Sequence, residues 1–368
     1  MRTDVVVVFS PVGGGHRAAA IAVSEAARAR GLRVEMLDAF AYAPRLIGDA
    51  YVGAHLTGQS ALPNFYGSAY FAANHRDGAF EPLRRGFDHL AFARLTEHVV
   101  DLAPRAVVAT HHLPLVVLGR ARRKGWLRAP LVGVITDYTS HAVWAEEGVD
   151  VFAVPCARAR RELVQHGVRA SDVELTGIPV RAAFGEIAGV RDPARGERLR
   201  VLVTCGGFGV GPMRRIVGSF AGVRDVELTV VCGSARGLAR DIEEDAARAG
   251  VMARVIGFEK DMAARVAEVH LVVGKAGGLT VSETMTAGRP MVIVGAVPGN
   301  EKINEELVTA AGAGYAAAAH DVGARVSAMR GAREIAAMGA RARALAILGS
   351  ADRVVALALA HAASVRAA

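Results

Sequence analysis

The sequence predicts an α/β chain built as two successive doubly wound units, and three observations carry the prediction. Aliphatic runs of strand length alternate with Ala/Arg-rich helical segments, the pattern of a parallel sheet covered on both faces. A charged, Gly/Pro-punctuated stretch, GEIAGVRDPARGER at 185–198, interrupts this alternation before it restarts. Glycine clusters follow strand candidates in both halves, where sheets of this kind hold their ligands.

In the first half the candidate strands are DVVVVFS (4–10), RVEMLDA (33–39), RAVVAT (105–110), LVGVITD (131–137), DVFAVP (150–155) and VELTGIP (173–179). Helices are expected between them, as at 16–30 and 157–166. Region 40–98 has no clean strand and reads as a helical insertion. The second half opens with LRVLVTCGG (199–207) and continues with VELTVVCG (226–233), ARVIGF (253–258), HLVVG (270–274) and PMVIVGAV (290–297). Helices fall between these too, at 234–249 and 300–311, and the last forty residues read as two more. The expected organisation is therefore a domain at 1–184, a linker at 185–198 and a domain at 199–368, both Rossmann-like and facing a cleft.

Composition excludes several classes. At 368 residues, 52% hydrophobic and 22% charged, the chain is neither disordered nor of low complexity. Three cysteines, Cys156, Cys205 and Cys232, lack metal-type spacing and fit buried thiols in a reducing cytosol. The apolar run in MRTDVVVVFS is too short for a secretory signal, and the other aliphatic runs are interrupted before they could span a bilayer. A net charge of +8 favours anionic partners. No helix-turn-helix, zinc-finger or RNP signature accompanies it, so nucleic acid ranks below an anionic lipid or a nucleotide-linked substrate.

The turns hold the chemistry. VGGGH (12–16) brings Gly14, Gly15 and His16 to the end of the first strand, where glycines let a ligand approach and a helix start attracts anions. A histidine that merely caps its helix would look the same. In GKAGGLTVSETMTAGRP (274–290), Gly277, Gly278, Leu279 and Thr280 suit a diphosphate, and Glu283 suits two ribose hydroxyls. Thr280 and Glu283 also match the [ST]-x-x-[DE] capping pattern. In VPGNEKINEEL (297–307), Asn300, Glu301 and Asn304 are polar groups able to read a sugar. A solvated acidic helix start explains them equally.

Eight pieces in order identify a resemblance: VGGGH (12–16), ITDYTSHAVW (135–144), GIPVR (177–181), CGGFGVG (205–211), VCGSARGL (231–238), GFEKDM (257–262), KAGGLTVSE (275–283) and PGNEKIN (298–304). Over both domains the chain resembles the inverting GT-B glycosyltransferases of the monogalactosyldiacylglycerol synthase and diacylglycerol glucosyltransferase type. The lipid II-forming N-acetylglucosaminyltransferase is a more distant relative. The family usually has Gln where Asn300 stands and Gly at Ile303, which bears on the donor sugar and not on the class.

The resemblance implies transfer of a hexose from a UDP-sugar to a lipid alcohol such as diacylglycerol. The UDP-sugar is a co-substrate, and neither cofactor nor metal is expected. The donor belongs on the second domain, with the terminal helices packing back toward the first. The backbone at Phe258 and Glu259 would read the uracil with Met262 nearby, and Glu283 would hold the ribose. The turn at 277–280, with Gly207, would cradle the diphosphate, and Arg181 would add a cation there. His16 becomes the general base, with Asp137 as the rival base or the group that orients it. His141 and Trp144 line the mouth or serve ordinary loop packing.

Region 40–98 holds ten of the chain's twenty aromatic residues, Tyr66 and Tyr70 among them, interleaved with Arg45, Arg76, Arg84 and Arg85. Aromatics with arginines suit an anionic membrane surface, and an insertion with an aromatic core is the plainer explanation. The enzyme is accordingly expected on the cytoplasmic face of a membrane, peripherally bound. Other readings of the same residues are a polyprenyl or natural-product acceptor, a UDP-sugar 2-epimerase, or a sugar-nucleotide-binding regulator without turnover.

Overall fold

Valine and phenylalanine at five successive positions give β1 (Val5–Phe9), buried on both faces. Such branched and aromatic side chains suit a pleated surface covered from both sides. The structure, a computed structural model, describes residues 3–11, 14–44, 74, 81–296 and 299–367. The chain divides into two compact units, Met1–Ala182 with Gly349–Ala368, and Ala183–Leu348.

In the first unit, β1 is followed by α1 (Gly14–Ala29), β2 (Val34–Asp38), α2 (Glu81–Ala91), α3 (Ala93–Asp101), β3 (Ala106–Ala109) and α4 (His112–Arg123). Then come β4 (Leu131–Val134), β5 (Val151–Val154), α5 (Ala157–Gln165) and β6 (Val173–Leu175). The strands form one parallel sheet in the order β2-β1-β3-β4-β5-β6, with Val5 beside Val34 on one side and Ala106 on the other. The chain therefore reverses direction across the sheet between β1 and β3. The residues leaving those two strands flank the crevice where a doubly wound sheet takes its ligand.

The expected helical insertion is helical where it is described. Phe92, Leu95 and Val99 enter the core, and Phe40 meets Phe92 edge-on at 5.4 Å. Phe87 and Leu90 stand 52% and 80% exposed on α2. Of the ten aromatics in this region, Tyr51, Phe65, Tyr66, Tyr70, Phe71 and Phe80 lie outside the described residues, so the mouth expected at Tyr66 and Tyr70 does too.

The second unit begins with α6 (Ala182–Glu186) and runs through β7 (Leu199–Thr204), α7 (Met213–Gly218), β8 (Val226–Val231), α8 (Leu238–Ala249), β9 (Ala253–Ile256) and α9 (Met262–Ala267). It continues as β10 (Leu271–Gly274), α10 (Gly278–Thr286), β11 (Met291–Ile293), α11 (Asn300–Ala310), β12 (Gly314–Ala316), α12 (Val322–Ala332) and α13 (Ile335–Leu345). Its parallel sheet has the order β12-β11-β10-β7-β8-β9, so the reversal lies between β7 and β10. Gly274 closes β10 at a point where a Cβ would meet Thr204 O at 2.2 Å. Glycine is the residue that fits there.

Two expectations on domain limits are corrected. Segment 185–198 is not a free linker but part of the second unit. Buried Arg289 donates to Ala188 O, Val266 O and Val269 O, and Arg343 donates to Gly185 O, while Ile335 N bonds Asp192 Oδ1. A planar guanidinium with five donors can satisfy several carbonyls at once. Burial, with Arg343 and Arg200 nearby, pulls Arg289 down to about 10.

The second unit also ends at Leu348 rather than at residue 368. Helix α14 (Ser350–Ala367) joins the first unit, burying Val354, Val355, Ala358 and Ala362 among Val5, Ala20, Val23 and Ala27. Small residues on both α1 and α14 allow that close approach. Helices α12 and α13 stay in the second unit, whose core holds Val326, Ile335 and Met338. The last helix thus packs on α1, as expected for the end of the chain. The stretch Ile335–Ser364 has a mean hydropathy of 1.5 over its most apolar window and is long enough to cross a bilayer. In the fold it is two helices separated at 346–349, the second of them buried along one side.

Candidate active site

His16 is the third residue of α1, directly after β1. Its Nδ1 lies 2.7 Å from Thr110 O and 3.0 Å from Thr136 Oγ1. Thr110 Oγ1 donates back to His16 O at 2.8 Å. Thr110 follows β3 and Thr136 follows β4, so the ends of three adjacent strands converge on one imidazole. This is the reversal point of the first sheet, as the topology requires.

A cluster of rings surrounds it. His111 caps α4, its Nδ1 accepting from Leu113 N at 3.2 Å, and its ring meets His16 edge-on at 4.5 Å. His112 lies 4.2 Å from His111 and 6.0 Å from Trp144, and Trp144 lies 6.5 Å from both His16 and His111. His141 Nδ1 accepts from Val143 N, capping the 3-10 turn Ala142–Trp144 that presents the indole. Glu162 on α5 secures the loop before it, accepting from Thr139 Oγ1 at 2.8 Å and Ser140 N at 2.6 Å. His141 and Trp144 are both buried, and the Trp144 ring meets those of His16, His111 and His112.

Asp137 is the next residue after Thr136 and half-buried. Arg181 is in the first unit, where its Nε donates to Glu25 on α1 at 2.8 Å.

In the second unit, α10 starts at Gly278 with Gly277 as its cap, and the first intrahelical bond runs from Val281 N to Gly277 O. Thr280 is thus the third helical residue and not the cap, which removes the capping-box explanation of Thr280 and Glu283. The N–H groups of Gly278, Leu279 and Thr280 have no intrahelical acceptor, and glycine supplies no capping side chain. An open helix start of this kind receives anions. Glu283 sits in the second turn, half-buried.

Around that turn the polar residues divide by role. Lys275 Nζ lies 3.2 Å from Glu301 Oε1, both side chains being only 13% and 12% exposed. Burial pushes the neighbouring Cys205 thiol up to about 12, so it stays uncharged beside the ammonium. Asn304 is fully buried and donates to Ala276 O at 2.8 Å, which holds the turn. Asn300 opens α11 and is half-buried.

Gly207 O accepts from Ser234 N at 2.8 Å, tying CGGFGVG to VCGSARGL. A Cβ on Gly233 would come within 2.4 Å of that oxygen. Phe258 is 56% exposed beyond β9, Glu259 bonds Asp261 N at 2.8 Å, and Met262 begins α9. Gly14 and Gly15 are the first residues of α1. His111, His112, Thr110, Thr136 and Lys275 were not singled out by the sequence. The adjacent HH after a strand was the only available signal for the first two.

Comparison with known proteins agrees with this division. Residues 16–180 match the monogalactosyldiacylglycerol (MGDG) synthase family model, and residues 200–326 match the glycosyltransferase family 28 C-terminal domain model. Processive diacylglycerol beta-glucosyltransferase of Bacillus subtilis (strain 168) is 27% identical over 62% of this chain and 61% of its own length. Probable monogalactosyldiacylglycerol synthase 2, chloroplastic, of Oryza sativa subsp. indica is 27% identical over 84% of this chain and 70% of its own. Among solved structures, Acinetobacter baumannii MurG superposes with a TM-score of 0.64 at 18% identity, covering 96% of this chain and 98% of its own. Anabaena Alr3699/HepE in complex with UDP gives 0.55 at 13% identity, with both chains fully covered. At these identities the structures establish the GT-B fold.

Proposed function

Because the chain belongs to the monogalactosyldiacylglycerol synthase and family 28 glycosyltransferases, we propose that it moves a hexose from a UDP-sugar to the free hydroxyl of diacylglycerol, with inversion. The order of the two matches carries the reading: one runs from His16 to Val180 and the other from Arg200 to Val326. The site geometry suits the chemistry. His16 takes the proton from the acceptor hydroxyl as its oxygen bonds the anomeric carbon. The bond from that carbon to the diphosphate breaks, and the electron pair leaves with the phosphate. The N–H groups of Gly278, Leu279 and Thr280 and the dipole of α10 meet the charge that develops there.

The exposed Phe258 and the backbone of Glu259 offer a stacking face and polar groups for the uracil, and Glu283 offers a carboxylate for the ribose. Glu301, held by Lys275, faces the sugar. We read the enzyme as acting on the cytoplasmic face of a membrane, bound peripherally. The net charge of +8 and the exposed Phe87 and Leu90 on α2 support that reading.

The test incubates the protein with radiolabelled UDP-glucose, UDP-galactose or UDP-N-acetylglucosamine and diacylglycerol vesicles, then extracts with organic solvent. Label in the organic phase from a hexose donor is expected. Label that stays in water with diacylglycerol but enters a polyprenol or an aglycone would replace the acceptor. Sedimentation with anionic vesicles, released by salt, tests the membrane reading separately. Equal binding to neutral vesicles, or none to either, would count against it.

A further inference from the structure

Thr110 O and Thr136 Oγ1 meet at the same ring nitrogen of His16, at 2.7 and 3.0 Å. A carbonyl oxygen only accepts, so the proton of the neutral ring must sit on Nδ1 and Nε2 carries the lone pair. Free imidazole favours the opposite tautomer. We propose that Thr136 is a positioning residue that, with the Thr110 carbonyl, holds His16 as the Nδ1–H tautomer and so directs Nε2 toward the acceptor hydroxyl. The proposal rests on His16 being the base.

The clamp has a second consequence. When Nε2 takes the proton, positive charge spreads to the Nδ1–H, and both oxygens then accept from a cation. Hydrogen bonds to charged groups are stronger than those between neutral ones. Thr136 therefore does more for the state formed during transfer than for the resting enzyme. Thr136 is 4% exposed, and a valine there keeps the shape and removes only the hydroxyl. Of the titratable and charged groups around His16, His111 meets its ring and His112 packs on His111, while Asp137 and His141 follow Thr136 and Arg17 follows His16 in the chain. His111 already spends its Nδ1 on Leu113 N.

The experiment is ¹⁵N-detected imidazole spectroscopy of the full chain, with kinetics of Thr136→Val and Thr136→Ser. In wild type, His16 should show protonated Nδ1 and an unprotonated Nε2. Thr136→Val should lower kcat about tenfold, the scale of one hydrogen bond to a charged group, with donor KM unchanged. It should also shift the acid limb of the rate profile, and Thr136→Ser should restore both. Urea unfolding followed by circular dichroism reports folding of each variant, and UDP affinity, which depends on the other unit, should stay unchanged. A wild-type spectrum with the proton on Nε2, or full kcat in Thr136→Val, overturns the clamp. Full turnover in His16→Ala overturns the base instead, and the spectrum still decides the tautomer.

Discussion

His16 and Thr110, 94 residues apart, bond each other in both directions: the imidazole Nδ1 to the threonine carbonyl, and the threonine hydroxyl to the histidine carbonyl. A histidine that served only to start its helix would need neither contact. The reciprocal pair fixes the backbone and the ring together, and such double fixation is what a base held near a reacting hydroxyl requires.

Replacing His16 by alanine should leave UDP-sugar affinity nearly unchanged, because the proposed nucleotide contacts lie on the second unit. Turnover should fall by roughly 10²–10⁴, the range for loss of a general base. Asp137→Asn separates the two candidates. If Asp137 acts through the ring, it slows turnover less than His16→Ala, and the double variant is little worse than His16→Ala alone. Normal turnover in His16→Ala with abolition in Asp137→Asn would make the aspartate the base.

Glu283→Ala should weaken UDP binding by about 1.5–3 kcal/mol while the protein stays folded, as expected for lost charge-assisted bonds to a ribose. Since Gly277 caps α10, no capping contribution is at stake. Calorimetry showing unchanged UDP affinity in the folded variant would remove Glu283 from the site.

The Lys275–Glu301 pair predicts a stability change. Lys275→Met leaves a carboxylate buried without its cation and should cost about 3–5 kcal/mol in urea unfolding. Replacing both partners by apolar residues of similar volume should recover most of that loss while removing the acid from the sugar site. Equal stability of Lys275→Met and wild type would show that water already screens the pair.

Acid sensitivity should appear in both units. Hydrogen bonds from Arg33 hold Asp4 at about 2 instead of 3.8, and Arg191 holds Glu197 at about 2 instead of 4.5. A carboxyl lowered by folding stabilises the protein above its unfolded value and stops doing so as pH falls to its folded one. Asp4 therefore contributes fully above 3.8 and Glu197 above 4.5, and both contributions vanish by about pH 2. Asp4→Asn and Glu197→Gln should lower the urea midpoint at neutral pH and converge with wild type near about pH 2. A constant difference across that window would exclude the linkage.

Much of the fold follows from local pattern. Eleven of the described strands coincide with aliphatic-rich runs such as VVVVF and LRVLVT, because strands covered on both faces are mostly apolar, while flanking strands such as Val173–Leu175 and Ala253–Ile256 keep exposed positions. The twelfth, Gly314–Ala316, has no such run. It is a three-residue edge strand lying so near β11 that a Cβ on Gly314 would meet Met291 O at 2.2 Å. The glycine turns, His16, Glu283 and the family resemblance were legible for the same local reason, since a motif keeps its spacing along the chain. The partners were not. Thr110, Thr136 and His111 reach His16, and His112 packs on His111, because the sheet sets β3 beside β1 and β4 beside β3, and no spacing records that adjacency. Where α10 begins, and hence whether Thr280 is a cap, depended on Gly277 and on the clamp of Asn304 across to Ala276 O. The last helix shows the same limit: its residues read only as a helix and the resemblance alone turned it back toward the first unit, where the small residues of α1 supply the surface it approaches closely enough to bury Val354 and Ala358.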